Sequence, residues 1–475
     1  MMGDGMTLFV LIGVMLIVMF SGSPVFSALG FTGLFGVLLI FMWYGINQMP
    51  QWGPIAYSQG TSFNQIIAPM FVMMSEFLSQ GRIAEDIFTV MNRAVRKVRG
   101  GLAVSTTLAC TVFSALCGSS PATAASVGRI SIKEMTKRGY DPGFAVGTVA
   151  AGGTLGIMLP PSITFCFFGL LTETSIVQLF MAGILPGLMI SVFFIIFTLI
   201  RVRVNPALIS GVVSAEEAEK GAEEIDGNVA REIISAAREA AQEESAHRVG
   251  THTKLQPQKK EAGLITILPA IILIVVVVAA MYSGIATPME AAGYGVVGSL
   301  VITLIQRRMT KETFGTAMRN TARTGTMIIF LIMCGFAMTY AISYLGISQS
   351  IATAVVGSGL NRYVILVIVF LLWLVIGLFM DPASVVILTV PFLFPSLVAL
   401  GFDPIWIGVV SVICSEVGMI TPPVGLNLFV LKAITNIPMS TIIKGSLPYA
   451  FVLIFALIVI TLFPDIALLL PRLMG

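Results

Sequence analysis

The sequence predicts an all-α polytopic membrane protein. Hydrophobic residues make up 56% of the 475 residues, charged residues make up only 11%, and the mean hydropathy is +0.96. Water-soluble domains of this length are much more polar. Apolar runs long enough to span a bilayer as helices recur along the chain, for example at 264–281 and 363–380. The alternating strands of about ten residues that build a membrane β-barrel are absent from the sequence.

The positions of Lys and Arg predict how the chain threads the membrane, because cytoplasmic loops are enriched in these residues. Three apolar segments, at about 6–20, 24–43 and 62–79, precede the first basic cluster, so we expect the N-terminus outside. Of the 27 Lys and Arg residues, all but Arg362 and Arg472 then face the cytoplasm. The same threading leaves the C-terminus outside.

Residues 101–128 are predicted to enter and leave the membrane on the same side. The segment is apolar, but both of its flanks are basic. About 28 residues, at ~1.5 Å each, are too few to cross a ~30 Å core and return. We therefore expect a re-entrant helical hairpin with its tip at "CGSSPAT" (117–123), where Gly, Ser and Pro interrupt the helix.

The remaining segments complete two halves joined by a linker. An interrupted segment at about 143–172 and a helix at 177–200 end the first half, 1–203. The polar stretch 204–262 is predicted to be a cytoplasmic linker, either a solvated surface helix or a docking segment. The second half, 263–475, should hold three crossings, a hairpin, an interrupted segment and a last crossing, at about 264–283, 289–305, 324–345, 363–400, 404–434 and 446–470.

Short motifs recur at nearly one spacing, which indicates an internal repeat. "GYDP" at 139–142 returns as "GFDP" at 401–404, an offset of 262, and the Pro–Pro pairs are separated by the same 262 residues. "SPAT" at 120–123 returns as "DPAS" at 381–384, with an offset of 261. Since the threading opens the two hairpins to opposite sides, we expect inverted repeats. Inverted repeats with discontinuous helices are typical of secondary transporters.

Each Pro–Pro pair should interrupt a helix and create binding groups. Proline has no N–H, so carbonyls four residues earlier, including those of Gly156 and Gly418, should lose their helical partners. In a bilayer such carbonyls are costly unless something binds them, and a cation is a suitable partner. The half-helices after the breaks, which we expect to begin at Pro161 and Pro423, should favour an anion at their N-termini.

Three acidic residues in the second half have two interpretations each. Asp381 at the second hairpin tip belongs either to an ion path or to a helix cap. Glu416, two residues before the second break, is either a sodium ligand or an interfacial or paired acid. Glu290, which follows Pro288, either faces a cavity or caps a helix.

Blocks along nearly the whole chain resemble the large membrane subunit of tripartite ATP-independent periplasmic (TRAP) transporters. They include "RGGLAVSTTLACTVFSALCGSSPATAASVG" (99–128), "GGTLGIMLPPSI" (152–163), "GIATPMEAA" (284–292) and "SEVGMITPPVGLNLFVLKAI" (415–434). The resemblance implies an elevator-type transporter of the bacterial inner membrane that imports a carboxylate, with Na⁺ as the coupling ion and no organic cofactor. It also implies two partners, a small four-helix membrane subunit and a soluble periplasmic substrate-binding protein.

The resemblance places sodium sites at the hairpin tips against the interrupted helices. The sodium ligands carried over to this chain are Ser119, Ser120, Gly156, Asp381, Gly418 and Thr421. For the substrate we predict residues of the hairpin tips and of the two breaks, namely Thr123, Thr154, Pro161, Ser162, Ser384, Pro423 and Asn427.

Three other functions remain to be separated from this one, of which a channel is disfavoured because inverted repeats favour alternating access. A stand-alone anion/Na⁺ symporter would need no partner subunits, and would transport without a binding protein. A membrane enzyme is disfavoured, because both histidines, His247 and His252, lie in the polar linker and no nucleophile–base pair is evident. We therefore expect no catalytic residues, and no metal other than sodium.

Overall fold

The structure is a computed structural model that describes residues 25–44, 52–95, 97–209 and 264–474, with positions 10, 11, 13–15, 17, 18 and 21. Throughout these residues the regular structure is helical, which confirms the predicted all-α class. Six of the described helices are long and apolar enough to cross a membrane. Residues 210–263, most of the predicted linker, lie outside the described part of the chain.

The first half contributes nine α-helices to the described structure. They are α1 (Val25–Tyr44), α2 (Trp52–Gly60), α3 (Ile67–Gln80), α4 (Ile83–Val95), α5 (Gly101–Cys117), α6 (Ser120–Lys137), α7 (Pro142–Thr154), α8 (Ile163–Thr172) and α9 (Ile176–Val204). The second half contributes ten, which are α10 (Leu264–Tyr282), α11 (Pro288–Ile305), α12 (Lys311–Tyr344), α13 (Ile347–Gly357), α14 (Arg362–Gly377), α15 (Pro382–Ala399), α16 (Pro404–Met419), α17 (Leu426–Ile434), α18 (Met439–Leu462) and α19 (Asp465–Arg472).

Two pairs of helices form hairpins. Helices α5 and α6 pack together and are joined by Gly118 and Ser119, where Gly118 has a φ of +64° that favours glycine. Helices α14 and α15 also pack together, and Asp381 is the N-cap of α15. We refer to residues 117–123 and 378–384, which include these turns, as the first and second hairpin tips.

Two helices are interrupted, and the second parts begin later than predicted. Helix α7 tightens into a 3₁₀ turn at Leu155–Ile157, and α8 starts only at Ile163. Helix α17 starts at Leu426. The expected starts at Pro161 and Pro423 are therefore wrong, because each Pro–Pro pair continues the break and a separate capping residue follows it. Those caps are Ser162, with extended backbone, and Gly425, with a φ of +58°.

Around the breaks, helices of one half pack against helices of the other half. Helix α17 packs on α6, where Leu431 and Ile434 lie against Gly128. In the same way, helix α8 of the first half packs on α15 of the second half. The rings of Phe168 and Phe394 lie 5.6 Å apart there, edge to face. Each hairpin is therefore held by the half-helix that belongs to the other half of the sequence.

Helices α7 and α18 cross with their backbones in direct contact. A Cβ built on Gly147 would lie 2.0 Å from the carbonyl oxygen of Gly445, and one built on Gly445 would lie 1.9 Å from that of Gly143. Glycine is required at this crossing because any side chain would separate the helices. Next to the crossing, the buried Tyr449 hydroxyl lies 3.0 Å from the hydroxyls of both Thr148 and Thr198.

Candidate functional site

The first hairpin tip is pressed against the first break. A Cβ built on Gly156 would lie 2.5 Å from the carbonyl oxygen of Ser119 and 2.8 Å from the Cα of Ser120. On the far side of the tip, the N–H of Ile163 donates to the carbonyl of Gly118 at 3.5 Å. The structure therefore brings Ser119, Ser120 and Gly156 together, three of the residues predicted to bind sodium.

The second hairpin meets the second break in a similar way. A Cβ built on Gly418 would lie 2.3 Å from the carbonyl carbon of Gly377, at the end of α14. The N–H of Gly425 donates to the carbonyl of Leu378 at 3.0 Å. The Gly418 carbonyl has lost its helical partner, since residue 422 is a proline, but it is not left unpaired as expected, because it accepts the N–H of Thr421 at 3.1 Å in a tight turn.

A side-chain hydrogen bond joins the first hairpin tip to the second interrupted helix. The Ser120 hydroxyl donates to Oε1 of Glu416. Ser120 is fully buried and Glu416 is 1% exposed, and Oε2 of Glu416 has no hydrogen-bond partner within the described residues. The contact makes Glu416 a paired acid, as one of its two sequence interpretations predicts. The signal was an acidic residue in an apolar segment close to a break, but nothing in the sequence identified Ser120 as its partner.

Two more polar side chains are buried beside this contact. The Thr123 hydroxyl and both amide atoms of Asn427 have no partner that meets hydrogen-bond geometry within the described residues. A Cβ built on Gly153 would lie 2.8 Å from that of Ala124 and 3.4 Å from Nδ2 of Asn427, so α6, α7 and α17 meet here. Buried polar atoms without partners are costly and often mark ligand sites.

Asp381 and Ser384 interact with each other at the second hairpin tip. Ser384 donates its backbone N–H to Oδ2 of Asp381 at 3.2 Å and its hydroxyl to Oδ1 at 2.5 Å. Asp381 therefore caps α15, and it is only partly buried. A cap can also bind a cation, since a carboxylate has about four lone-pair positions.

The other predicted residues differ in how open they are. Thr154, Pro161 and Ser162 are buried, so the first break is closed to solvent. The Thr154 hydroxyl donates to the carbonyl of Ala151 at 2.6 Å, and Ser162 Oγ accepts the N–H of Phe165 at 3.3 Å.

At the second break the predicted residues are more accessible. Thr421 is half-buried and donates its hydroxyl to the carbonyl of Val417 at 2.6 Å, whereas Pro423 is exposed. The two breaks therefore differ in access, although their sequences are similar.

The described fold is that of a polytopic helical membrane protein. Its two helix hairpins meet two interrupted helices, and oxygen atoms lie at the contacts. Residues 12–466 match the family described as "Tripartite ATP-independent periplasmic transporter, DctM component". The chain belongs to this family, as the large permease subunit of a TRAP transporter. It is a transporter and not an enzyme, and the predicted family is confirmed.

Named relatives agree with this assignment, and a solved structure shares the fold. The chain is 32% identical to the C4-dicarboxylate TRAP transporter large permease protein DctM of Pseudomonas aeruginosa, over 93% of this chain and 94% of that protein. It is 27% identical to the sialic acid TRAP transporter large permease protein SiaM of Vibrio cholerae, over 96% of each chain. The structure of MtrF from Neisseria gonorrhoeae shares the fold, with a TM-score of 0.54 at 13% identity over 89% of this chain and 84% of that one.

Proposed function

We propose that this chain is the permease of a Na⁺-coupled system that imports an organic acid delivered by a periplasmic binding protein. The named relatives support the substrate class, because one is a C4-dicarboxylate permease and the other a sialic acid permease. In this proposal the chain works with a small four-helix membrane subunit and moves by an elevator mechanism in the bacterial inner membrane. Its halves are inverted repeats, with both termini in the periplasm.

The observation that carries the proposal is the position of the first hairpin tip between the two interrupted helices. Ser119 and Ser120 lie against Gly156 on one side, and Ser120 bonds to Glu416 on the other. Movement of either interrupted helix would change the oxygen atoms around this tip. A binding site formed between separate elements in this way can couple ion binding to a conformational change.

The donor set fits a hard monovalent cation. At the first tip the available groups are the Ser119 carbonyl and the Ser120 hydroxyl, and at the second tip the Asp381 carboxylate and the Ser384 hydroxyl. Hard cations prefer oxygen ligands of this kind. When bound, Na⁺ would supply a positive charge that lowers the cost of bringing a carboxylate into a buried site.

Groups suited to the substrate lie beside these tips. The α8 N-terminus, capped by Ser162, and the amide of Asn427 can each donate hydrogen bonds to a carboxylate. Thr123, Thr154, Pro161, Ser384 and Pro423 complete the proposed surface. In this proposal the hairpin tips hold the ions and also contribute to the substrate surface, and the half-helix N-termini bind the anion.

Reconstituted uptake tests the proposal. The chain and its small subunit would be placed in liposomes, with the binding protein added outside and radiolabelled succinate or N-acetylneuraminate as the probe. We expect uptake that requires both the binding protein and an inward Na⁺ gradient, and that stops when K⁺ replaces Na⁺. Equal uptake without the binding protein would identify a stand-alone symporter, and equal uptake without Na⁺ would reject the coupling.

Membrane threading can be tested separately. Single cysteines in place of Arg362 and Arg99, in a chain without its native cysteines, would be labelled with a membrane-impermeant maleimide in intact spheroplasts. We expect labelling at position 362 and none at position 99. The reverse pattern would overturn the proposed orientation.

A further inference from the structure

The orientation of the Ser120 hydroxyl group depends on which acceptor takes its hydrogen. Its Cα would lie 2.8 Å from a Cβ built on Gly156 at the first break, and its side chain is fully buried. A hydroxyl group has one hydrogen to donate and two lone pairs to offer, and in the absence of a strong acceptor it rotates between neighbours. Where that hydrogen points therefore decides whether the oxygen can bind a cation.

Glu416 fixes the orientation of this hydroxyl group. Oε1 of Glu416 accepts the Ser120 hydrogen, so the hydrogen is committed toward α16 and the lone pairs of the oxygen point elsewhere. We propose that Glu416 is a positioning residue, which holds the Ser120 hydroxyl as a cation acceptor at the first hairpin tip. This inference rests on the proposed Na⁺ coupling, and it assigns Glu416 a role through Ser120 and not as a ligand itself.

The hydrogen bond also makes the oxygen a better ligand. When a hydroxyl donates to a carboxyl oxygen, the O–H bond is polarised and the electron density on its oxygen rises. Partners of metal ligands commonly act in this way, by fixing orientation and raising basicity. The role requires only that Oε1 accepts, and Oε1 accepts in a neutral amide as well as in a carboxyl group.

The polar residues at the corresponding positions of the recurring motifs bond locally. Thr154, 262 residues earlier and also near the end of a helix before a Pro–Pro pair, satisfies its hydroxyl within its own helix at the Ala151 carbonyl. Asp381, 261 residues after Ser120, bonds to Ser384 in its own helix. Glu416 instead bonds to Ser120 of the first hairpin, and among the described residues its buried Oε2 has no hydrogen-bond partner, which is costly.

The test is a double-mutant cycle on the complex of the full chain with its small subunit. Na⁺ affinity is read in two ways, from the half-saturating Na⁺ concentration for uptake and from the Na⁺-dependent rise in unfolding temperature of the purified complex in choline chloride. The variants are Glu416→Gln, which keeps an acceptor, Glu416→Met, which keeps the volume without an acceptor, Ser120→Ala, and the double variant Ser120→Ala with Glu416→Met.

We expect Glu416→Met and Ser120→Ala each to weaken apparent Na⁺ affinity about tenfold or more in both readouts. The double variant should be no weaker than Ser120→Ala alone, because residues that act through one another are not additive. Glu416→Gln should stay within about threefold of the wild type, since a positioning role survives in an amide. Ser415→Ala is the matched control, because among the described residues this buried hydroxyl bonds within its own helix, where it donates to the carbonyl of Ser411 at 2.8 Å.

Three results would overturn the inference. Multiplying effects in the double variant would mean that Glu416 does not act through Ser120. A Glu416→Gln variant as weak as Glu416→Met would mean that charge acts and not orientation, and wild-type affinity in Glu416→Met would remove the role altogether. If Glu416→Met does not fold, the cycle is run with Glu416→Ala. A wild-type complex without any Na⁺ response would instead reject the proposed function.

Discussion

The Ser120 hydroxyl donates a hydrogen bond to Oε1 of Glu416, across 296 residues of sequence. Ser120 begins the second helix of the first hairpin, and Glu416 lies in the last turn of α16 before the second break. The contact therefore ties the two halves of the sequence together at buried atoms. Four further predictions follow from this and other contacts of the described residues.

The first prediction concerns the crossing of α7 and α18. Gly147→Ala should lower stability by about 3 kcal/mol or more, because a Cβ 2.0 Å from the Gly445 carbonyl forces two backbones apart. The measurement is the unfolding temperature of the detergent-purified protein, followed by size-exclusion chromatography after heating. Gly315→Ala is the control, since a Cβ there meets nothing within 4 Å and should leave stability equal or slightly higher. Equal unfolding temperatures for the two variants would contradict the close crossing.

The second prediction concerns the seat of the first hairpin tip. Gly156→Ala should reduce Na⁺-dependent uptake about tenfold or more, because its Cβ would displace the Ser119 carbonyl and Ser120. Gly293→Ala, whose Cβ would make only an ordinary 3.5 Å contact with Met70, should transport normally. Both variants would be compared in liposomes at equal amounts of folded protein. Normal uptake by Gly156→Ala would show that the tip can shift without loss of function.

The third prediction separates charge from capping at Asp381. Asn is as good an N-cap as Asp, so Asp381→Asn should keep the cap on α15 and change stability by less than about 1 kcal/mol. If the carboxylate binds Na⁺, the same variant should lose most Na⁺-dependent uptake.

Asp403→Asn is the matched control for this prediction. Asp403 is an exposed cap that accepts the N–H groups of Ile405 and Trp406 at 2.8 and 3.2 Å. We expect uptake by this variant at the wild-type level. Unchanged Na⁺ dependence in Asp381→Asn would reduce Asp381 to a structural cap.

The fourth prediction concerns an ion pair between α4 and the turn before α12. Arg308 pairs with Asp86 and also donates to the Gly81 carbonyl at 2.9 Å, and the two side chains are 24% and 10% exposed. Arg308→Ala should cost about 3 kcal/mol or more, because it leaves Asp86 charged and nearly buried. Chemical denaturation in detergent would measure the loss.

An exposed pair provides the comparison for Arg308. Arg472 bonds to Asp465 with both side chains largely exposed, so Arg472→Ala should cost less than about 1 kcal/mol. If both variants lose the same stability, the burial of the Arg308 pair is not what makes it strong.

Local chemistry made much of this fold predictable. Gly118 and the polar residues after it end a helix wherever they stand, so the first hairpin tip could be located from the sequence. The starts of the half-helices could not, because their caps, Ser162 and Gly425, follow the prolines by one or two residues and proline patterns alone do not locate a cap. Glu290 shows the same limit, since only the structure reveals its reciprocal capping bonds with Thr287.

Hydropathy and the missing proline N–H act within a few residues, so the class and the positions of the breaks could be predicted from the sequence, and the motif blocks were enough to predict the family. Which buried groups meet depends instead on how distant helices pack. Glu416 could have been a sodium ligand or a paired acid, and its contact with Ser120 depends on how α16 packs against the first hairpin tip. The same is true of the Gly147–Gly445 crossing, where van der Waals contact between distant segments, and not any local pattern, requires glycine on both helices.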